Sequence, residues 1–212
     1  MNLPVSSPLR HSIRLPGFDY SQAGAYFVTI VTHARRCLFG RIEDGEMVLN
    51  GAGRMASAQW LHLAYRFTNL ELGEWVIMPN HIHGILIITG KGEASPYKFS
   101  ASLKTLVKDA SPLRPNGTMP GSIGAIIQNF KSVTSRKINK SMITGKGEAS
   151  QTETHIPTKK RGKDASPQLV WQRNYYEHVI RNERDMLTIT DYIVANPQNW
   201  EKDEEYQAQI PV

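Results

Sequence analysis

The sequence contains a single cysteine, Cys37, among its 212 residues. An internal disulfide is therefore impossible, and a reducing compartment is the natural setting for the chain. No apolar run approaches the length of about 18 residues that is needed to cross a bilayer. The polar, proline-bearing segment from Met1 to Arg14 also lacks the apolar core of a signal peptide. We therefore expect a cytoplasmic protein that does not enter the membrane.

Charge of neither sign dominates the chain. Charged residues make up 21% and hydrophobic residues 40% of the sequence, and the formal net charge is +6. This composition is typical of a folded globular protein that is long enough to bury a hydrophobic core in one domain. The modest positive excess by itself only favours a polyanionic partner.

The most informative segment is a run of β-branched and large apolar residues that contains two histidines, His81 and His83. Side chains alternate between the two faces of a strand, so both imidazoles are predicted on one face and Ile82 on the other. Two imidazoles placed in this way can bind one divalent ion. A hydrogen-bonded histidine pair without a metal is the alternative that the pair alone leaves open.

The rest of the chain shows alternating helix and strand signals. A β-rich run covers Ala25 to Thr32, a hairpin is predicted around Asp44-Gly45, and Asn50 can cap a following helix. Residues 70–88 are predicted to supply the histidine-bearing strand, with a break near Pro79. Helical spacing predicts a helix over 122–138 and one or two helices over 177–196.

Two segments interrupt this pattern. The run Ile88-Thr89-Gly90-Lys91-Gly92-Glu93-Ala94-Ser95 recurs at 143–150, and Lys108-Asp109-Ala110-Ser111-Pro112 recurs at 163–167. The sequences between the recurring runs are polar and unrelated to each other. Solenoid repeats, in contrast, keep the same pattern of hydrophobic positions throughout. We therefore predict one domain over residues 1–212 that carries two mobile insertions, at about 89–118 and 143–168.

A tyrosine and an asparagine near the C-terminus share one helix face, because Tyr192 and Asn196 are four residues apart. A phenol is a poor nucleophile unless its pKa is lowered or its target is polarised, and a metal on the histidine pair could polarise a phosphate. The alternative interpretation makes Tyr192 a packing residue and Asn196 a helix cap before Pro197.

Several motifs together resemble those of the REP-associated tyrosine transposases, relatives of the single-tyrosine HUH transposases of small bacterial insertion sequences. The resemblance extends from about Arg10 to Trp200, apart from the two insertions. The motifs that carry it are Arg14-Leu15 with Tyr20, Ala25-Tyr26-Phe27-Val28-Thr29, Leu38-Phe39-Gly40, Met78-Pro79-Asn80-His81-Ile82-His83-Gly84, Trp171-Gln172-Arg173-Asn174-Tyr175-Tyr176-Glu177-His178-Val179-Ile180-Arg181, and Tyr192-Ile193 before Asn196-Pro197.

The resemblance implies a ferredoxin-like α+β fold, in which a central antiparallel sheet carries the histidine pair and helices pack on it. It implies that His81 and His83 bind Mg²⁺ or Mn²⁺ and that Tyr192 is the nucleophile. In the related transposases a glutamine four residues after the tyrosine completes the metal shell, but Asn196 stands there in this chain. Asn196 and His178 are therefore alternative third ligands, and Tyr175 and Tyr176 are rival tyrosines.

The implied activity is cleavage and rejoining of single-stranded DNA at short palindromic hairpins, through a 5′-phosphotyrosine intermediate and without ATP. We expect a bacterial monomer or homodimer that associates with the nucleoid when bound to DNA. The candidates for contacts with the DNA backbone are basic: Arg35, Arg36, Lys131, Arg136 and Arg173. The alternatives are a nuclease that uses water as its nucleophile and a catalytically impaired, domesticated protein that only binds DNA hairpins.

Overall fold

A computed structural model describes residues 22–89, 120–144 and 167–206 of the chain. Its strands are β1 (Gly24–Val31), β2 (Gly40–Glu43), β3 (Glu46–Leu49), β4 (Leu70–Ile77), β5 (His81–Ile88) and β6 (Tyr176–Ile180). Its α-helices are α1 (Gly51–Arg66), α2 (Ile123–Thr144) and α3 (Glu183–Ala195), and 3₁₀ helices cover His33–Arg35 and Pro197–Lys202. Among the described residues, no helix combines the length and apolar character that crossing a membrane requires.

The main sheet has four antiparallel strands in the order β4-β5-β1-β6. Together with α1 and α2, these strands follow the chain order β1-α1-β4-β5-α2-β6. That order and connectivity define the ferredoxin-like α+β fold, so the predicted fold class is confirmed. The β2-β3 hairpin is an addition between β1 and α1, and α3 is an addition after β6.

The two faces of the sheet are covered by different helices. Alternate residues of β1, such as Tyr26 and Val28, pack with α1 and α2 in the larger core, which includes Trp60 and Phe130. The intervening residues face α3. They form a smaller core in which Met186 and Ile193 of α3 pack with the strand residues Ala25, Phe27, Ile85, Ile87 and Ile180. The histidine pair lies on this second face.

Several local predictions are confirmed. Strand β1 coincides with the predicted β-rich run, and Asp44 and Gly45 adopt positive φ angles of 50° and 79° in the β2-β3 turn. The Asn50 side chain accepts a hydrogen bond from the Gly53 amide at the start of α1. The predicted helix over 122–138 is present and continues to Thr144.

Two predictions about secondary structure were wrong. The predicted break near Pro79 is present, but it is the turn of a β-hairpin and not an interruption of one strand, since β4 and β5 pair antiparallel with Ile77 opposite Ile82. The start of the predicted helical region, residues 177–180, belongs instead to the edge strand β6, which pairs with β1. The predicted insertions at about 89–118 and 143–168 lie almost wholly outside the described residues, so they stay predictions.

Gly84, directly after the histidine pair, leaves space for the indole of Trp60. A Cβ atom at Gly84 would lie 2.4 Å from Cζ2 of Trp60, which is fully buried and packs edge-on against Phe130. Because a packed core cannot yield, we expect Gly84→Ala to lower the free energy of unfolding by about 1–3 kcal/mol. Denaturant unfolding measures this, and Gly51→Ala is the control, since a Cβ at that position would meet no atom within 4 Å beyond its chain neighbours and the adjacent helix backbone. Equal stability of the two variants would contradict this packing.

Candidate active site and metal centre

The site begins with the histidine pair at the start of β5. His81 lies opposite Val31 and His83 opposite Thr29 in the antiparallel register with β1. Both side chains point to the α3 face and are buried, and their ring centroids are 4.3 Å apart. Ile82 belongs to the opposite, larger core. The predicted placement of the two imidazoles on one face is therefore confirmed.

Each imidazole is held through its Nδ1 atom. Nδ1 of His81 is 2.8 Å from Oδ1 of Asn80, and Nδ1 of His83 is 2.9 Å from Oγ1 of Thr29. The His83 ring also stacks on Phe27, with ring centroids 5.4 Å apart. Since Nδ1 is engaged in both residues, Nε2 is the atom that each histidine offers to the site.

A carboxylate from the C-terminal segment completes a three-residue group. Oδ2 of Asp203 lies 3.9 Å from Nε2 of His81 and 3.5 Å from Nε2 of His83, and its side chain is 1% exposed. The donor atoms of these three residues all lie within 4.8 Å of one another. Two imidazole nitrogens and one carboxylate oxygen are ligands that divalent transition ions accept. His81, His83 and Asp203 thus form a group that could bind a metal ion.

The protonation of this group fits a cation. Burial, and secondarily the charge of His83, lower the pKa of His81 to about 3 against the opposing influence of Asp203. Burial acts to raise the pKa of Asp203, but the hydrogen bond with His83, the charge of His81 and the hydrogen bond from Asn196 hold it well below its usual range. At neutral pH His81 is therefore neutral and Asp203 is anionic, which are the forms that bind metals. In addition, Nε2 of His81 is buried without a hydrogen-bond partner among the described residues.

Tyr192 brings a hydroxyl to the edge of the same group. Its Oη lies 3.2 Å from Nε2 of His83 and donates a hydrogen bond of 3.2 Å to Oδ2 of Asp203. The residue is half-exposed, 44%, so one side of the phenol is open to an incoming molecule. Burial, and then the charge of and hydrogen bond to Asp203, raise the pKa of Tyr192. In this arrangement the phenol is protonated, and its proton is within reach of the Asp203 carboxylate.

Helix α3 fixes the position of this tyrosine. Asn182 caps the helix by accepting a hydrogen bond from the Asp185 amide, and Met186 and Ile193 are buried against the sheet. Because Ile193 is fully buried, its neighbour Tyr192 is held at the margin of the α3-sheet interface beside His83. Positioning therefore depends on packing between residues that are far apart in sequence.

The two predicted alternatives for a third ligand occupy different places. The Asn196 Nδ2 atom donates a 2.9 Å hydrogen bond to Oδ2 of Asp203, while its Oδ1 is buried without a partner among the described residues. His178 lies opposite Phe27 in the sheet, and its Nε2 is 3.0 Å from Oδ2 of Asp185. Asn196 thus contacts the group through Asp203, and His178 is engaged with the start of α3.

The rival tyrosines lie on or before the edge strand. Tyr176 is exposed beside Phe27, and Tyr175 packs on the larger core next to Lys131. Among the hydrogen bonds found between described residues, Tyr192 is the tyrosine whose hydroxyl reaches the His-His-Asp group.

The five basic candidates for DNA contacts differ in the partners that the structure gives them. Arg35 pairs with Glu205, next to the site, whereas Arg36 donates to Gln168 and to the Leu169 carbonyl. Lys131 donates to the carbonyls of Gln172 and Asn174, and burial lowers its pKa to about 8. The other two candidates, Arg136 and Arg173, are exposed.

Sequence comparison shows a relative of matching length. A protein of Haemophilus influenzae, itself uncharacterized, is 36% identical to the chain over 198 residues, which are 93% of each protein. The chain belongs to the same family as this protein. No model of a described protein family matches the sequence. A solved structure of a REP-associated tyrosine transposase bound to a REP hairpin aligns with 87% of this chain and 72% of its own, with a TM-score of 0.49 and 17% identity.

Proposed function

We propose that this chain is a metal-dependent DNA-cleaving and strand-transferring enzyme of the tyrosine transposase type. One observation carries the proposal: the Tyr192 hydroxyl lies 3.2 Å from both His83 Nε2 and Asp203 Oδ2, within a group suited to a metal. A nucleophile beside a cation site is a combination that supports transesterification of a phosphodiester. The motif resemblance of the sequence to this class supports the same reaction.

We further propose that His81, His83 and Asp203 hold Mg²⁺ or Mn²⁺. The buried Nε2 of His81, which has no partner among the described residues, and the anionic Asp203 fit this role. When bound, the cation supplies positive charge that stabilises the negative charge developing on a phosphate during displacement. Because Mg²⁺ prefers oxygen ligands and two of these donors are nitrogen, we expect Mn²⁺ to support the reaction at least as well.

In the proposed reaction Tyr192 attacks the scissile phosphorus in line. A bond forms between Oη and phosphorus while the bond from phosphorus to the 3′-oxygen breaks, which leaves a 5′-phosphotyrosine and a free 3′-hydroxyl. The phenol proton passes to the acceptor within hydrogen-bonding distance, Asp203 Oδ2, and the departing 3′-oxygen takes up one proton to become the hydroxyl. One phosphodiester replaces another, so a 3′-hydroxyl can reverse the step and join strands without ATP.

The proposed substrate is single-stranded DNA that carries a short palindromic hairpin. The net charge of +6 supports a polyanionic partner. Among the candidate backbone contacts, Arg35 is linked to the site by described contacts, since its carbonyl binds Asn80 next to His81. The exposed Arg136 and Arg173 are free of any described ion pair and remain candidates for phosphate contacts farther along the DNA.

The test uses single-stranded oligonucleotides from the genomic flanks of the gene, labelled at either the 5′ or the 3′ end, with Mn²⁺. We expect the 5′-labelled fragment to be released free and the 3′-labelled fragment to migrate with the protein on a denaturing gel. Cleavage that leaves both fragments free would indicate a nuclease with a water nucleophile. Hairpin binding without cleavage under all metal conditions would indicate the domesticated DNA-binding protein.

A further inference from the structure

The Asn80 side chain lies where three parts of the site meet. It is fully buried in the turn between β4 and β5, directly before His81. Its Nδ2 donates to the Glu205 carbonyl at 2.6 Å and to the Arg35 carbonyl at 3.2 Å, and its Oδ1 is 2.8 Å from Nδ1 of His81. One amide therefore contacts a histidine, the C-terminal segment and the turn after β1.

These contacts determine which way the Asn80 amide faces. The carbonyl oxygens of Arg35 and Glu205 can only accept hydrogen bonds, so the NH₂ group of the amide must face them. The amide oxygen then faces His81, and as an acceptor it requires a proton on Nδ1 of that ring. Because a neutral imidazole carries one proton, Nε2 of His81 is left with a free lone pair.

The direction of this lone pair matters for the site. Nε2 of His81 is buried without a hydrogen-bond partner among the described residues, and it points toward the Asp203 carboxylate 3.9 Å away. Two electron-rich atoms that face each other in a buried space favour a cation between them. The Nδ1–H tautomer is thus the form of His81 that is ready to bind a metal.

We propose that Asn80 is a positioning residue, which holds His81 in the metal-binding tautomer and, through Glu205, keeps the segment that carries Asp203 next to the histidines. Asp203 lies two residues before Glu205, and the Glu205 amide donates to Oδ1 of Asp203 at 2.7 Å. The inference rests on the metal site of the proposed function but does not require DNA cleavage.

Histidine tautomers in the metal-free protein provide the first test. Long-range ¹H–¹⁵N NMR of ¹⁵N-histidine-labelled protein distinguishes the two ring nitrogens, and a His81→Ala sample assigns the His81 signals. We expect His81 to carry its proton on Nδ1 in the natural protein and in Asn80→Asp, whose carboxylate can accept the same hydrogen bond. In Asn80→Leu, which cannot accept it, the Nε2–H form should gain population. A natural protein with the proton on Nε2 would overturn the proposal, whether or not any variant folds.

Manganese affinity, measured by EPR titration of the free ion without DNA, provides the second test. We expect Asn80→Leu to bind Mn²⁺ about 10–100-fold more weakly, as is usual when a partner of a metal-bound histidine is lost. Asn80→Asp keeps the acceptor for His81 but loses the donor to the Arg35 and Glu205 carbonyls, so it should also bind Mn²⁺ more weakly than the natural protein. Asn139→Leu is the matched control, since Asn139 also donates to two backbone carbonyls but lies on α2. The affinity of the Asn139→Leu variant for Mn²⁺ should equal that of the natural protein.

The outcomes separate two kinds of failure. If the natural protein does not bind Mn²⁺, the metal site itself is contradicted. If it binds Mn²⁺ normally but Asn80→Leu changes neither the tautomer nor the affinity, then the role of Asn80 is contradicted while the metal site stands.

Discussion

Replacement of Tyr192 by phenylalanine should abolish both the covalent protein–DNA adduct and the cleavage of single-stranded DNA. The change removes one oxygen atom, which is the proposed nucleophile, so we expect the cleavage rate to fall by at least about 10³-fold. The hydroxyl makes two hydrogen bonds at 3.2 Å at the edge of the site, so the free energy of unfolding should change by no more than about 1–2 kcal/mol. Denaturing gels with 3′-labelled DNA measure the adduct, and chemical unfolding measures the stability.

Tyr176→Phe is the matched control for this experiment. Tyr176 is as exposed as Tyr192, at 43% against 44%, and both rings contact Phe27. No hydrogen bond described here joins its hydroxyl to the His-His-Asp group, so we expect the adduct to form in this variant. The reverse result, an adduct in Tyr192→Phe and none in Tyr176→Phe, would identify Tyr176 as the nucleophile. The proposed type of reaction, attack by a tyrosine on DNA, would still hold.

The second large effect concerns the histidine pair. His81→Ala and His83→Ala should each weaken Mn²⁺ binding by more than about 100-fold, since even outer partners of metal ligands contribute about 10–100-fold. Cleavage should be lost in both variants, while binding of a DNA hairpin should stay nearly unchanged. Isothermal titration with Mn²⁺ and a gel-shift assay with the hairpin measure the two properties separately.

His62→Ala is the control for these variants, because His62 lies on α1, away from the α3 face of the sheet. Asp203→Asn extends the test to the carboxylate, since it keeps the shape of the side chain and removes its charge. We expect it to weaken Mn²⁺ binding too. Undiminished cleavage in an excess of chelator would contradict a metal mechanism altogether.

Much of the fold could be predicted because its signals are local. The β-rich run before the first turn, the Asp44-Gly45 pair and the Asn50 cap each specify structure within a few residues. Strand β6 could not be predicted in this way. Its burial does not alternate, and its strand conformation depends on pairing with β1, which lies about 150 residues earlier in the chain.

The site shows the same division between local and distant signals. The shared face of His81 and His83 follows from strand periodicity, and the spacing of Tyr192 and Asn196 follows from helical periodicity. Asp203 had no such signal, because it is one of several acidic residues in the stretch after α3. Only packing of the 3₁₀ helix beside β5 brings its carboxylate to the histidines. The Asn196 side chain, which is one methylene shorter than glutamine, donates a hydrogen bond to this carboxylate.

The attachment point of DNA tests the central claim most directly. The natural protein should be incubated with Mn²⁺ and its single-stranded target, digested with protease and nuclease, and analysed by tandem mass spectrometry. We predict a nucleotide linked through its 5′-phosphate to the peptide that contains Tyr192, and no such peptide when chelator is present. A nucleotide on any other residue, or DNA cleaved completely with every tyrosine unmodified, would contradict the account.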